Sequence, residues 1–388
     1  MTERGLDGGR LIVGLMSGTS HDGVDAALVS LDPAGHLADN SRRPVLIHHH
    51  YKPYPRRIRD SVRSAMHGAS ASQVAELGFA LGRFYAAAVS ECIGDARVPE
   101  GSVQAVASHG QTIYHRPPAR GQMGATLQIG NPSVIARHTG LVVVSDFRSA
   151  DVAAGGHGAP LVPFADCVLF ASGEGPRAVH NIGGISNLTI VPKAGLPLDE
   201  VLAFDTGPGN CLMDEAARVM LGRDYDRAGA AARKGRCDEA ALSAMMRTAY
   251  LAKLPPKSTG RELFGPEFLK RHIKRVKPAE ALCTLAHFTA MSIAHAYQRH
   301  VLPRYELREV VFSGGGTKNA FLMGLIRQRL SSLGLGVTLS DSLGVPSSAR
   351  EAMSFAVLAN ETLSGRPSNV TSATGASMPV VLGNITLP

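Results

Sequence analysis

One unit of sequence recurs in this chain and narrows the folds open to it: an apolar run, a glycine-bearing turn, and a second apolar run. Residues 11–16 (LIVGLM) enter the turn SGTSHDG and leave through residues 24–31, the pattern of a β-hairpin with a glycine tip. Residues 178–182, Gly183-Gly184 and residues 188–191 repeat it, and residues 201–204 then run into Asp205. Behind the first unit, Leu77, Leu81, Phe84, Ala88 and Cys92 fall at helical spacing, and strands are expected at 103–108 and 141–144. The pattern restarts near Asp146, with an apolar stretch at 162–169. Later, a strand at 310–312 precedes a helix holding Leu325 and Leu330, and 349–363 is a further helix ended by Gly365 and Pro367. Two hairpins, each continued by helices and strands, predict an α/β chain with two similar lobes. The first is expected over 1–147 with 365–388 returning to it, the second over 148–364.

Length and composition fit a folded chain: 388 residues, 44% hydrophobic and 19% charged, suffice for two full cores. Lys and Arg (40) exceed Asp and Glu (32), giving +8, without dense basic runs. This balance steers anionic small molecules and does not require nucleic acid. The absence of Trp and an aromatic content of 5% remove the stacking platforms of single-strand binders. Five widely spaced cysteines without a C-x-x-C pair point to a reducing cytoplasm. Neither export nor membrane insertion is expected, since no signal-length apolar region opens the chain and no 18-residue apolar run occurs.

Four glycine loops stand where strands end, the usual ligand position in α/β folds. In Gly18-Thr19-Ser20-His21-Asp22-Gly23-Val24-Asp25, backbone N–H groups and hydroxyls could hold a phosphate and Asp22 a Mg²⁺, directly or through water; a plain D-G hairpin turn reads the same. In Asp205-Thr206-Gly207-Pro208-Gly209-Asn210, a helix start with Asn210 as cap would offer unpaired N–H groups to a second phosphate. Asp205 would be a positioned base with its pKa lowered by the helix dipole, or an ordinary turn aspartate. Gly314-Gly315-Gly316 could let a flat base lie on the backbone or merely join strand to helix. Gly155-Gly156-His157-Gly158 is a hinge or substrate loop. His109, Gln111 and His115 cluster hydrogen-bonding groups after a strand, and Lys257 and Arg261 offer two cations after Pro255-Pro256; a backbone-satisfied histidine and a solvated loop are the competing readings. His48-His49-His50 alternates across a strand, so the three cannot share one face and no metal site is expected there; no zinc or iron constellation emerges from the sequence. Neither a Walker A motif nor a G-x-S-x-G elbow is present.

Taken together, MSGTSHDGVD, SHGQTIYHRP, SDFRSADVAAGGHGAPLVP, HNIGGISNL, FDTGPGNCLMD, PKSTGRELF and SGGGTKN resemble the anhydro-N-acetylmuramic acid kinases, in the same order, from Leu11 to the C-terminal VTSATGASMPVVLG. That family lies within the sugar kinase, Hsp70 and actin superfamily. The resemblance implies two ribonuclease-H-like (actin-like ATPase) lobes with a nucleotide cleft between them, ATP and Mg²⁺ as cofactors, a 1,6-anhydro amino sugar as small-molecule partner, and a cytoplasmic homodimer. It matches Asp205 to the catalytic base, Gly18 to Asp25 to the first phosphate loop, Gly207, Gly209 and Asn210 to the second, and Gly314, Gly315 and Gly316 to the nucleotide glycines. His109, Gln111, Arg148, Lys257, Arg261 and Glu351 become candidate sugar contacts. The implied reaction opens the 1,6-anhydro bridge with water and phosphorylates O6, recycling peptidoglycan. Two departures fall in the substrate half: His157 replaces the usual Gln, and GVPSSAREA looks like the related levoglucosan kinases. A free-sugar kinase and an actin-like scaffold or sensor without turnover are the competing functions.

Overall fold

β1 (Arg10–Ser17) is buried along almost its whole length because elements cover both of its faces, so it reads as a continuous apolar run. Leu11, Val13 and Leu15 pack with Leu81, Tyr85 and Val89 of the helix Ala71–Ala96. On the opposite face, a Cβ at Gly14 would lie 1.9 Å from the Ala352 carbonyl oxygen, so only glycine lets the helix Arg350–Leu363 lie against the strand. Ser70 and Gln73 close a capping box at the start of the Ala71–Ala96 helix. The computed structural model describes residues 9–18, 21–35, 43–99, 101–119, 122–195, 197–274 and 276–388.

Two sheets organise the chain. In the first, β1 pairs antiparallel with β2 (Gly23–Leu31), which pairs antiparallel with β3 (Val45–Pro53). On its other side β1 runs parallel to β4 (Val103–Arg116), and β4 runs parallel to β6 (Val142–Ser145). β5 (Ala125–Ile129) adds to the far end of β4, and β12 (Asn384–Thr386) adds to β6. The second sheet repeats the plan. β7 (Arg177–Ile182), β8 (Ile185–Val191) and β9 (Leu202–Pro208) form an antiparallel meander, and β7 runs parallel to β10 (Glu309–Ser313), which runs parallel to β11 (Gly336–Leu339). Leaving aside β5 and β12, the orders are β3-β2-β1-β4-β6 and β9-β8-β7-β10-β11. This is one ribonuclease-H-like topology used twice, as the sequence led us to expect. The second core gathers Leu188, Phe204, Phe288, Ile293, Phe312 and Ile326 around the helix Pro278–Ala296.

The boundaries differ from those expected. One unit comprises Met1–Ala171, Ala194–Glu200 and Ser348–Pro388; the other comprises Ser172–Lys193 and Val201–Ser347. Residues 148–171, 194–200 and 348–364, assigned above to the second lobe, therefore belong to the first. The physical reason is the helix Val162–Phe170, buried from Pro163 onward, whose Asp166 accepts from Arg350 Nη2 on both oxygens at 2.6 and 2.7 Å. That ion pair ties it to the helix covering β1. The second hairpin begins at Arg177, where its apolar run was expected, but the stretch from Asp146 to Ala171 continues the first unit and does not open the second.

Candidate active site

Asp205 sits on β9 beside a register shift. Ser186 pairs with Gly207 and Asn187 with Asp205, so Thr206 is an extra residue that bulges the strand. Thr206 turns inward, its Oγ1 donating to the Ser186 carbonyl (3.1 Å) and lying 2.9 Å from Ser186 Oγ. Ser186 shares a further hydrogen bond with buried His180 (2.6 Å), and His180 shares one with the Tyr297 hydroxyl (3.0 Å). The backbone of Asp205 is held as well: its N–H donates to the Lys257 carbonyl (3.0 Å), and its carbonyl accepts from Tyr250 OH (2.7 Å). Of its carboxylate oxygens, Oδ2 accepts from the Thr259 N–H at 2.8 Å; Oδ1 has no hydrogen bond among the described residues. Burial pushes this carboxyl up to about 6, with Glu262 adding to the rise and the Thr259 N–H opposing it. The dipole argument predicted the opposite direction. Desolvation wins because the only close donor among the described residues is a single neutral amide.

The glycine loops of this unit are largely committed to one another. The N–H groups of Gly209 and Cys211 donate to the Gly184 carbonyl (2.9 and 3.1 Å), and that of Asn210 donates to Gly183 (2.8 Å). The unpaired amides expected at Gly209 and Asn210 are thus already bonded. Asn210 holds the cap position of the helix Cys211–Leu221 without a side-chain capping bond. Gly207 lies in the β8–β9 ladder with φ +144°. A Cβ on Gly314 would lie 2.5 Å from Asn181 Oδ1 and one on Gly316 2.2 Å from Ile182 Cγ2, whereas one on Gly315 would meet nothing within 4 Å. Two of the three glycines serve close packing on β7, and Gly315 presents the open backbone.

The two cations after Pro256 part company. Lys257 turns inward over the Tyr250 ring, its Nζ donating to the carbonyls of Tyr250 and Leu251 at 3.4 and 3.3 Å. Burial, with Arg299 and Lys253 nearby, lowers it to about 8. It supports the loop beneath Asp205 rather than presenting a cation to a sugar. Arg261 Nη2 instead lies 4.0 Å from where a Gly184 Cβ would stand, and its charge opposes the burial that raises Asp214 to about 6. It belongs to the glycine turn of its own unit.

In the first unit, side chains gather where the parallel pairing of β4 with β6 ends, at Ser108 and Ser145. Buried His109 bonds the Gly110 carbonyl through Nδ1 (2.8 Å), and its Nε2 accepts from Arg148 Nε and Nη2 (3.1 and 2.9 Å). Burial and the Arg148 charge drive His109 well below its usual range, so it is neutral and Nε2 is an acceptor. Arg148 Nη1 donates to Gly158 (2.6 Å), leaving two of its five N–H groups for another partner. Burial lowers Arg148 to about 10, resisted by the charges of Glu351 and Asp151. Glu351 opens the helix Arg350–Leu363; it is reached by solvent yet crowded by protein, which raises its pKa along with Asp25, while Arg350 and Arg148 oppose the rise. His109, Arg148 and Glu351 thus share one neighbourhood. Gln111 does not join them as a free group, because its Oε1 accepts from Ser17 Oγ (2.6 Å) and its Nε2 reaches the Gly18 carbonyl (3.5 Å). It braces the turn.

Only part of the first phosphate loop is a loop. Gly23, Val24 and Asp25 are already in β2, with Val24 fully buried in the core and the Asp25 carboxylate bonded to His49 Nε2 (2.9 Å). His21 takes the left-handed conformation (φ 54°), and the Asp22 carbonyl accepts from the Tyr54 N–H (2.7 Å). Thr19 and Ser20 lie outside the described residues.

Asp151 was missed from sequence although it stands inside a quoted motif. It is fully buried and accepts from Gly158 N–H (2.8 Å), Asn369 Nδ2 (2.9 Å) and Thr374 Oγ1 (2.7 Å). It clamps the 155–158 loop to the C-terminal segment, and a Cβ at Gly156 would strike its carboxylate at 2.2 Å. Ser186, His180 and Tyr297 were likewise not singled out, since their roles arise from contacts between separate elements; Thr259 was noted for its hydroxyl, whereas it is its backbone N–H that holds Asp205.

Known proteins resemble this chain at two levels. Among solved structures, the activator of the 2-hydroxyisocaproyl-CoA dehydratase from Clostridium difficile, with bound ADPNP, is 12% identical, with a TM-score of 0.44 over 90% of this chain and 94% of that one. In sequence, the anhydro-N-acetylmuramic acid kinases of Bacillus cereus and Bacillus thuringiensis subsp. konkukian are each 42% identical over 383 residues, covering 97% of this chain and 99% of theirs. The family model described as anhydro-N-acetylmuramic acid kinase matches residues 10–388. This chain belongs to the anhydro-N-acetylmuramic acid kinase family.

Proposed function

We propose that this chain uses ATP and water to open the 1,6-anhydro bridge of anhydro-N-acetylmuramic acid and phosphorylate O6, giving N-acetylmuramic acid 6-phosphate. The observation that carries the reading is Asp205: a half-buried carboxylate with one oxygen fixed by the Thr259 N–H, the other without a partner among the described residues, and a pKa near 6. Such a group is ionised at neutral pH and basic enough to take a proton from water in a transition state. As Oδ1 accepts that proton, the water oxygen bonds to C1 and the C1–O6 bond breaks. O6 then takes the γ-phosphoryl group, the bond to the ADP leaving oxygen breaks, and the proton on Asp205 passes to solvent. One carboxylate thereby serves a coupled hydrolysis and transfer, the remaining catalysis being orientation.

The other assignments follow from chemistry. In the first unit the turn at Gly18 and His21, and in the second the open backbone at Gly315, are the stretches whose backbone suits a nucleotide's phosphates or base. Arg148 has N–H groups to spare for the sugar's lactyl carboxylate, in line with the net charge of +8, and neutral His109 fixes its plane. Glu351 would accept from a sugar hydroxyl or amide. The oxygen chemistry of Asp22 suits Mg²⁺ better than a softer metal, and a bound Mg²⁺ would offset phosphate charge.

A cytoplasmic location is supported by five free cysteines, four of them buried; among the described residues no helix is long and apolar enough to cross a membrane. A homodimer is supported by the family resemblance alone, and light scattering would test it. The function itself is tested by ADP release from Mg²⁺-ATP with 1,6-anhydro-N-acetylmuramic acid, levoglucosan or free N-acetylmuramic acid. Turnover with the first is expected. Turnover with levoglucosan only would move the substrate, and ADP release independent of any sugar would favour the scaffold reading.

A further inference from the structure

The alternation of β3 separates its histidines but does not isolate them. His49 faces one side and bonds Asp25, while His48 and His50 share the other side with the last turns of the helix Ala71–Ala96. There Glu91 and Asp95, four residues apart and so on one helix face, meet them. His50 Nδ1 lies 3.2 Å and His48 Nε2 3.9 Å from Asp95 Oδ2, and the three potential ligand atoms fall within 4.8 Å of one another. His50 Nε2 is 3.0 Å from Glu91 Oε2, and Glu91 is itself paired with Lys52.

We propose that His48 Nε2, His50 Nδ1 and Asp95 Oδ2 form a binding site for a divalent transition metal of the zinc type, clipping the edge strand β3 to the Ala71–Ala96 helix. Ligands about 2.0–2.1 Å from a tetrahedral zinc stand about 3.3 Å apart. The His50–Asp95 pair already has that separation, and the His48–Asp95 pair needs a closure of about half an ångström. Two imidazoles and one carboxylate suit zinc over the oxygen-seeking Mg²⁺ and Ca²⁺. Glu91 supplies what a ligating imidazole needs on its far side, an acceptor for Nε2–H that leaves the Nδ1 lone pair for the metal. The partly exposed position leaves the fourth place to water. The competing explanation is ion pairing of protonated histidines with Asp95, which would bind no metal.

The test is calorimetric titration of Zn²⁺ into the chelator-treated, nucleotide-free full chain. The expected result is a saturable site that disappears in the His48→Ala/His50→Ala double variant, weakens at least about tenfold in Glu91→Gln, and persists in His49→Ala. Because His49 lies between the two ligands on the opposite face, that variant controls for damage to β3. The same number of sites and affinity in the double variant as in the parent, or no Zn²⁺ binding by the parent, would overturn the proposal.

Discussion

The two ribonuclease-H-like units share a strand order but build their polar sites from different materials. In the second unit, backbone does most of the holding: the Thr259 N–H fixes Asp205, the Gly183 and Gly184 carbonyls absorb the first amides of the following helix, and Gly315 offers bare backbone. In the first unit, side chains do it: Arg148 is planted between His109 and Gly158, and Arg350 locks onto Asp166 beside Glu351. Both units carry a carboxyl raised by burial. Asp205 has Glu262 nearby and no cation among its causes, whereas Glu351 has Arg350 and Arg148. On the function proposed above, the carboxyl without a cation among its causes would act as the base and the one flanked by two arginines would bind, the difference lying in neighbouring charge.

The largest expected effect separates the two carboxylates. Asp205→Asn should lower kcat about 10²–10⁴-fold with ATP affinity nearly unchanged, while Glu351→Gln should act mainly on KM for the sugar; steady-state ADP release reads both. Next comes the side-chain lock. Arg350→Ala removes the guanidinium that pairs with buried Asp166 and should cost about 3–5 kcal/mol in urea unfolding. No single side-chain truncation around the glycine turn should match it.

Asp205 also links activity to stability. Its folded pKa of about 6 lies above the ordinary 3.8, so the folded state holds the proton more tightly and stability falls as pH rises from about 4 to 6. Asp205→Asn, which mimics the protonated form, should gain on the order of 2–3 kcal/mol at pH 8 and gain little below pH 4. The kcat/KM profile of the parent should lose activity as pH falls through about 6, and this limb reports the same group. Smaller still, Arg148→Lys should raise the sugar KM about tenfold by losing the planar fork. Gly315→Ala should leave stability within about 0.5 kcal/mol while weakening nucleotide binding, whereas Gly316→Ala should destabilise through its clash with Ile182.

Most of the fold was legible because both hairpins carry their glycine turn and apolar runs locally, and the helices follow from spacing and caps. The lobe boundary was not: residues 162–170 form an apolar stretch that periodicity cannot place, and only the Arg350–Asp166 pair shows which sheet it serves. The candidacy of Asp205 was legible from the glycine turn that follows it, although the residue lies within β9 and not at a strand tip. Its protonation was not, because a helix start lies nearby in sequence while burial is a property of the packed unit. Lys257 and Gln111 looked like ligand groups for the same reason, and only their partners reveal them as braces. The His48, His50 and Asp95 cluster escaped because its carboxylate comes from another element.

The central claim is that Asp205 drives water into the sugar rather than activating a sugar hydroxyl. Turnover of the anhydro sugar with Mg²⁺-ATP in ¹⁸O-labelled water tests it directly by product mass. The account predicts one ¹⁸O at C1 of a 6-phosphorylated product, formed by the parent and lost in Asp205→Asn. A phosphorylated product without label, or labelled product at undiminished rate from Asp205→Asn, would contradict it.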